Sequence, residues 1–251
     1  MDYSHTRKYL VYGLLFLSMP IAAAERRTAY AELDGGAVFQ GVNDVEIPSG
    51  AATRFSLTSF STGPWATGRV YLGYEFLKGH EVRGLYAPLA VEASGVSATD
   101  ISYQGQNFVA GKSIRARYRF DSYRLTYRYR LVESGNFSMR LGFTGKIRDA
   151  EISLFQDNLY ATRGNIGFVP LLHVNLRYDM TPIWAVELDA DALASPYGRA
   201  EDISLKVIHR VHENWDISAG YRTVEGGSKG GGSVYNFTWL HYAEVGIRYS
   251  F

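Results

Sequence analysis

The chain has 251 residues, with 26 Lys and Arg against 25 Asp and Glu, no cysteine, 26 Gly, and 19 Tyr, 13 Phe and 4 Trp. Without cysteine there is no disulfide scaffold, thiolate metal site, thiol nucleophile or acylated lipoprotein terminus. The near-zero net charge argues against a dedicated nucleic-acid binder, and a mean hydropathy of −0.15 argues against a helical membrane protein.

The N-terminus carries Arg7 and Lys8, then an apolar run from Tyr9 to Met19, then Pro20 and the small residues Ala22, Ala23 and Ala24. Basic start, apolar core and small-residue site stand in the order of a secretory signal peptide. The run is too short for a spanning helix. Cleavage near Ala24 is expected, so that residues 1–24 are a signal peptide and 25–251 one transmembrane β-barrel domain. That domain has 24 basic and 24 acidic residues.

From residue 25 onward the dominant signal is period-2 alternation. In Arg124–Leu131, Leu125, Tyr127, Tyr129 and Leu131 fall on one face and Arg124, Thr126, Arg128 and Arg130 on the other. A strand separates these sets cleanly, whereas a helix would mix them. About ten such segments are expected from the turn spacing. Short connections fall at Lys78–His80, Glu133–Asn136, Met180–Pro182 and His212–Asn214. Longer ones are expected near 41–65, 97–112, 155–163, 195–201 and 225–235, the last containing a Gly-rich run. Short and long connections alternate, as in an up-and-down barrel with periplasmic turns and extracellular loops. The expected fold is all-β, an antiparallel transmembrane barrel of ten strands, with eight or twelve as alternatives.

Aromatics gather beside the short turns: Tyr74, Phe76, Tyr127, Tyr129, Tyr178, Trp184, Trp215, Tyr249 and Phe251. That is where an interfacial girdle belongs, and a soluble barrel does not explain it. With these features the chain resembles the bacterial outer-membrane β-barrel proteins. Its last strand, ending Tyr249-Ser250-Phe251, resembles the signal read by the barrel-assembly machinery, so Tyr249 and Phe251 are its expected assembly signal. The segments KIRDAEISL, GFVPLLH, DADALASPYGRAEDISL, GYRTVEGG and VYNFTWLHYAEVGIRYSF are also similar to those of proteobacterial outer-membrane proteins. The resemblance implies outer-membrane localisation and contact with lipid and lipopolysaccharide; it attaches no activity.

The inward faces carry the charges. Glu75, Arg83, Arg124, Arg128, Arg140, Lys146 and Arg148 come from the first half of the barrel. His173, Arg177, Glu187, Asp189, Asp191, Lys206, Arg210, Asp216, Arg222, Glu244 and Arg248 come from the second. Buried charge is costly unless paired, so a self-paired lumen is expected. Turn geometry suggests His173 opposite Asp189, Asn175 opposite Glu187, Glu75 opposite Arg83 and Arg210 opposite Asp216. Arg117 and Arg119 lie on the opposite parity from Arg124 and Arg128. Bulges near Asp121-Ser122 and at Arg148–Ala150 would reconcile them.

No metal-ligand spacing and no cofactor motif is present. His173 with Asp189 is the best dyad but lacks an adjacent Ser, so no catalytic residue is assigned. Arg115 is a candidate contact to lipopolysaccharide phosphate. Three function classes remain: a monomeric barrel with a charge-plugged lumen acting structurally or through its surface loops, a small-solute pore, and an outer-membrane lipid-modifying enzyme or protease. No nucleic-acid partner is expected.

Overall fold

The computed structural model describes residues 28–251 apart from Tyr197; the expected signal peptide lies outside the described residues. The strands are β1 (Ala29–Glu46), β2 (Phe55–Ser56), β3 (Trp65–Leu77), β4 (His80–Ala87), β5 (Ala90–Val96), β6 (Ile101–Tyr103) and β7 (Gln106–Phe108). After them come β8 (Ser113–Ser134), β9 (Phe137–Gln156), β10 (Leu159–Asp179), β11 (Trp184–Ser195), β12 (Gly198–Arg210), β13 (Trp215–Lys229) and β14 (Tyr235–Ser250). The wall is a closed, antiparallel, ten-stranded barrel. β14 pairs back onto β1 from Tyr30↔Ser250 to Glu46↔Tyr235, so the sheet has no free lateral edge there. Closure matters because lipid offers nothing to an unpaired N–H or C=O. β4 and β5 form one wall strand interrupted at Pro88-Leu89, since Ala87↔Ser122 and Ala90↔Arg119 keep a common register on β8. β2 is a short extra strand on β1 above the end of β3, and the β6–β7 hairpin forms a separate two-stranded sheet.

The expected bulges are absent. β8 and β9 run in unbroken register from Arg115↔Phe155 to Arg130↔Arg140, through both expected sites. Register shifts fall instead between Gln40 and Val42, Glu75 and Leu77, and Arg130 and Val132. At the first, Gly41 takes the extra position, and a side chain there would collide with the ring of His241. The parity of the arginines has another cause: inside–outside alternation stays fixed along the strand, but the polarity of the two faces reverses partway up the wall. Along β8 the inward residues are Arg128, Thr126, Arg124 and Ser122, then Tyr118, Ala116 and Ile114. The outward residues are Leu131 to Tyr123 and then Arg119, Arg117 and Arg115. Nearer the short turns the wall is apolar outside and charged inside; beyond them it is charged outside and apolar inside.

The same reversal explains two expected loops that are strands. β9 and β10 continue to a tight turn at Asp157-Asn158, where Asp157 has φ +51°. β11 and β12 continue to Ser195 and Gly198. Polar residues facing outward there read as loop in sequence, although alternation persists. The apolar outer stretch of β8, Tyr123–Leu131, covers about 27 Å of strand at ~3.4 Å per residue. A tilt of ~40° reduces it to about 21 Å, close to the ~25 Å apolar band of outer-membrane barrels. Tyr74, Tyr129, Tyr178, Trp184 and Trp215 ring its lower edge, exposed on the outer surface. Tyr86 stacked on Tyr123, with Tyr221 and Trp239, rings its upper edge.

Candidate functional site: the barrel interior

Three layers fill the interior. The lowest is a vestibule at the short-turn end, a space of about 500 Å³. Arg130 pairs with Glu75 at 2.6 Å, and Arg210 with Asp216 at 3.5 Å. Arg177 holds Asp179 and reaches Glu187 at 4.0 Å.

The middle layer is a continuous ion-pair network. Arg83 forms a bidentate pair with Asp189, both bonds 2.9 Å. Arg128 holds Glu81 at 2.7 Å and reaches Asp189 at 3.4 Å. Arg140 approaches Glu81 at 3.7 Å and donates to the Asn175 side chain. Three guanidinium groups converge on Asp202: Arg69 at 2.9 Å, Arg124 at 2.6 Å and Arg222 at 2.7 Å. Arg124 also binds Asp191, and Arg222 binds Glu244, each at 2.9 Å. Lys206 lies 2.8 Å from Glu32 and 2.5 Å from Asp34. Arg248 bridges Glu32 and Glu187. The Tyr71 hydroxyl accepts from both Arg69 and Arg222. Charge-assisted pairs of this kind offset the desolvation of charge only when their remaining donors and acceptors are also met.

His173 is 1% exposed. Its Nδ1 lies 2.8 Å from Asp191, and its Nε2 lies 3.7 Å from Asp189. The register places His173 opposite Asp191, Asn175 opposite Asp189 and Arg177 opposite Glu187. This corrects the expected His173–Asp189 and Asn175–Glu187 pairings by two residues, because the β10–β11 ladder stops at Asp179↔Ala185 and leaves a wider turn. Glu75 opposes Glu81, not Arg83, because the turn is only Lys78-Gly79, closed by Leu77↔His80, and a register shift follows between Glu75 and Leu77. Thr144 donates to Asp191 and faces Thr126, so the neighbouring hydroxyls support the carboxylate rather than the His173 ring. His80, His209 and His241 lie against girdle aromatics: Tyr129, Trp184 and Trp239.

The outer layer is apolar. The β6–β7 hairpin packs inside the wall, with Tyr103 and Phe108 fully buried among Ile114, Ile152, Leu154 and Ala161. The Tyr103 hydroxyl donates to the Ile152 carbonyl at 2.9 Å. Burial pushes its pKa upward, so it stays protonated as that donor. Gln104 N–H donates to Ile47 O, and Val109 N–H to the Gln156 side chain, which ties the hairpin to both walls.

Lys146 and Arg148 stand apart from the ion-pair network. Among the described residues, neither has a carboxylate within ion-pair distance. Lys146 is 4% exposed, with its Nζ 4.7 Å from the Phe120 ring centre. Arg148 donates to the Asn165 side chain, and its buried Nε is unsatisfied. Both line a cavity of about 470 Å³ between the charged and apolar layers. Arg115 lies outside the wall, well above Tyr123, at 3.6 Å from Glu92 and stacked on Phe155.

Sequence reading missed Glu32, Asp34, Arg69, Glu81 and Asp202. Parity alone could have found two of them: inward Arg83 implies inward Glu81, and inward Lys206 implies inward Asp202. Asp202 stands just past the expected 195–201 loop, within β12.

No family model and no curated protein matches the chain. Solved structures do. The outer-membrane protease OmpT from Escherichia coli aligns with a TM-score of 0.51 over 93% of this chain and 99% of that one, at 8% identity. The fold is that of a bacterial outer-membrane barrel. The NalP autotransporter translocator domain from Neisseria meningitidis aligns at a TM-score of 0.45 and 11% identity, over 91% of this chain and 90% of that one. The Ail protein of Yersinia pestis aligns at 0.39 or below and 12% identity, over 89% and 99%. At such identities the likeness concerns the barrel alone.

Proposed function

We propose that this outer-membrane barrel is sealed by its own side chains and acts through its extracellular end rather than as a pore. The carrying observation is the double filling of the interior. The Asp202-centred network crosses the lumen, and the β6–β7 hairpin occupies the outer layer above it. A conducting pore needs a continuous wet path, and two stacked layers of side chains leave little room for one. The buried position of His173 favours a structural role over a catalytic one. The exposed parts of the extracellular segments 47–64 and 97–112, such as Ala98–Asp100 and the hairpin tip Gly105–Asn107, then present the interaction surface, with lipopolysaccharide around the upper girdle. In this reading the chain is exported by its signal peptide, is inserted by the barrel-assembly machinery through Tyr249 and Phe251, and works as a monomer.

Purified protein in a planar lipid bilayer tests the seal. The expected result is a silent membrane. Discrete conductance steps that scale with protein concentration would overturn the reading in favour of a pore.

A further inference from the structure

The barrel wall is split on one side. β10 and β11 pair only from Asp179↔Ala185 to Leu172↔Ala192. Above that level β10 continues to Leu159 on β9 alone, while Leu193 to Ser195 bond only to β12. Pro170, which has no N–H to give to a ladder, stands just past the last pair. A second split separates the upper part of β3 from β5, but Trp65 bridges it by donating from its indole to Glu92 O. The β10–β11 split leads into the 470 Å³ cavity, whose rim includes Phe168, Pro170, Leu193 and Ser195.

The height of this opening is informative. Phe168 pairs with Ile147, which pairs with Tyr123, the upper end of the apolar belt on β8. The split therefore opens sideways near the upper margin of the apolar belt. Phe168 and Ile166 beside it are about 70% exposed on the lipid side. Inside, Tyr118, Phe120, Val224 and Leu240 supply apolar walls, while Lys146, Arg148 and Arg199 face one carboxylate, Glu225. Glu225 is already paired with Arg199. Two basic side chains thus reach an apolar chamber with no carboxylate of their own, and an anionic head bound there would supply the missing partner.

We infer that this side chamber binds a single-chain amphiphile with an anionic head, a long-chain carboxylate, which enters laterally through the β10–β11 split and places its head on Lys146 and Arg148. The volume falls within the ~300–1,000 Å³ of small-ligand sites, which suits one chain rather than a multi-chain lipid. Binding does not require a conducting lumen, so it is independent of the seal proposed above.

The test uses the full barrel in detergent micelles, with palmitate as probe, hexadecanol as its uncharged counterpart and lipid A as the membrane-lipid competitor. Wild type is expected to bind palmitate at least tenfold more tightly than hexadecanol. Lys146→Met combined with Arg148→Gln should abolish that preference while hexadecanol binding persists. Lys112→Met, at an exposed lysine paired with Asp157, should leave it intact. Heat-modifiable gel mobility verifies that each variant is folded. Equal affinity for the two probes in wild type, or undiminished palmitate binding in the double variant, would overturn the inference. Displacement of palmitate by equimolar lipid A would overturn the single-chain assignment and move the head to a lipid phosphate.

Discussion

The two halves of the barrel wall use the same strands with opposite solvents. In the half nearer the short turns, Leu125, Tyr127 and Tyr129 face out while Arg124, Thr126 and Arg128 face in. In the outer half of the same β8 strand, Arg115, Arg117 and Arg119 face out, and Ile114, Ala116 and Tyr118 face in. The backbone ladder does not notice the change, since its register is continuous. What changes is the medium outside. Lipid demands an apolar exterior, leaving the interior as the place for charge; water permits the arrangement of an ordinary soluble sheet. A strand's parity is therefore conserved across an interface while its hydrophobic face is not.

The contrast implies that the halves draw stability from different sources. Asp202→Ala should have the largest effect. It strands the guanidinium groups of Arg69, Arg124 and Arg222 in the middle layer, and breaking a buried pair costs about 3–5 kcal/mol. Equilibrium unfolding from lipid vesicles measures it; a loss below about 1 kcal/mol would mean that water already reaches this layer. Leu154→Ala in the outer layer removes a fully buried side chain and should cost about 2–4 kcal/mol by transfer and cavity terms. Its cost should be insensitive to salt, unlike that of an exposed ion pair. Arg119→Ala is expected to have the smallest effect. Arg119 joins Asp149, Asp121 and Glu151 on the partly exposed outer face, and such pairs contribute about 1 kcal/mol or less, falling with added salt. Equal costs for Arg119→Ala and Asp202→Ala would erase the distinction between the faces.

Legibility in the sequence followed the range of the interaction. Tyr127, Tyr129, Tyr178 and Trp184 marked the lower girdle because their position beside turns is a local property. Arg210 opposite Asp216 follows from a short hairpin, and the structure pairs them. His173 was placed on Asp189 rather than Asp191 because the Met180–Pro182 connection is wider than a tight turn allows. The network around Asp202 was beyond reach: Arg69 lies 133 residues earlier, and the two side chains meet across the lumen rather than along any ladder.

Alternation, turn spacing and the aromatic girdles pointed by themselves to an outer-membrane kind of barrel, with ten strands expected over eight or twelve, because parity and interface chemistry act on neighbouring residues; the closed structure settled the count. Tertiary structure alone decided which charges meet, that the β6–β7 hairpin fills the outer layer, that the bulges are unnecessary and that the β10–β11 wall is split. Each depends on contacts between strands that are not adjacent in the chain, or on how far one hairpin rises above its neighbour. A period-2 pattern records which side a residue faces, but not what stands opposite.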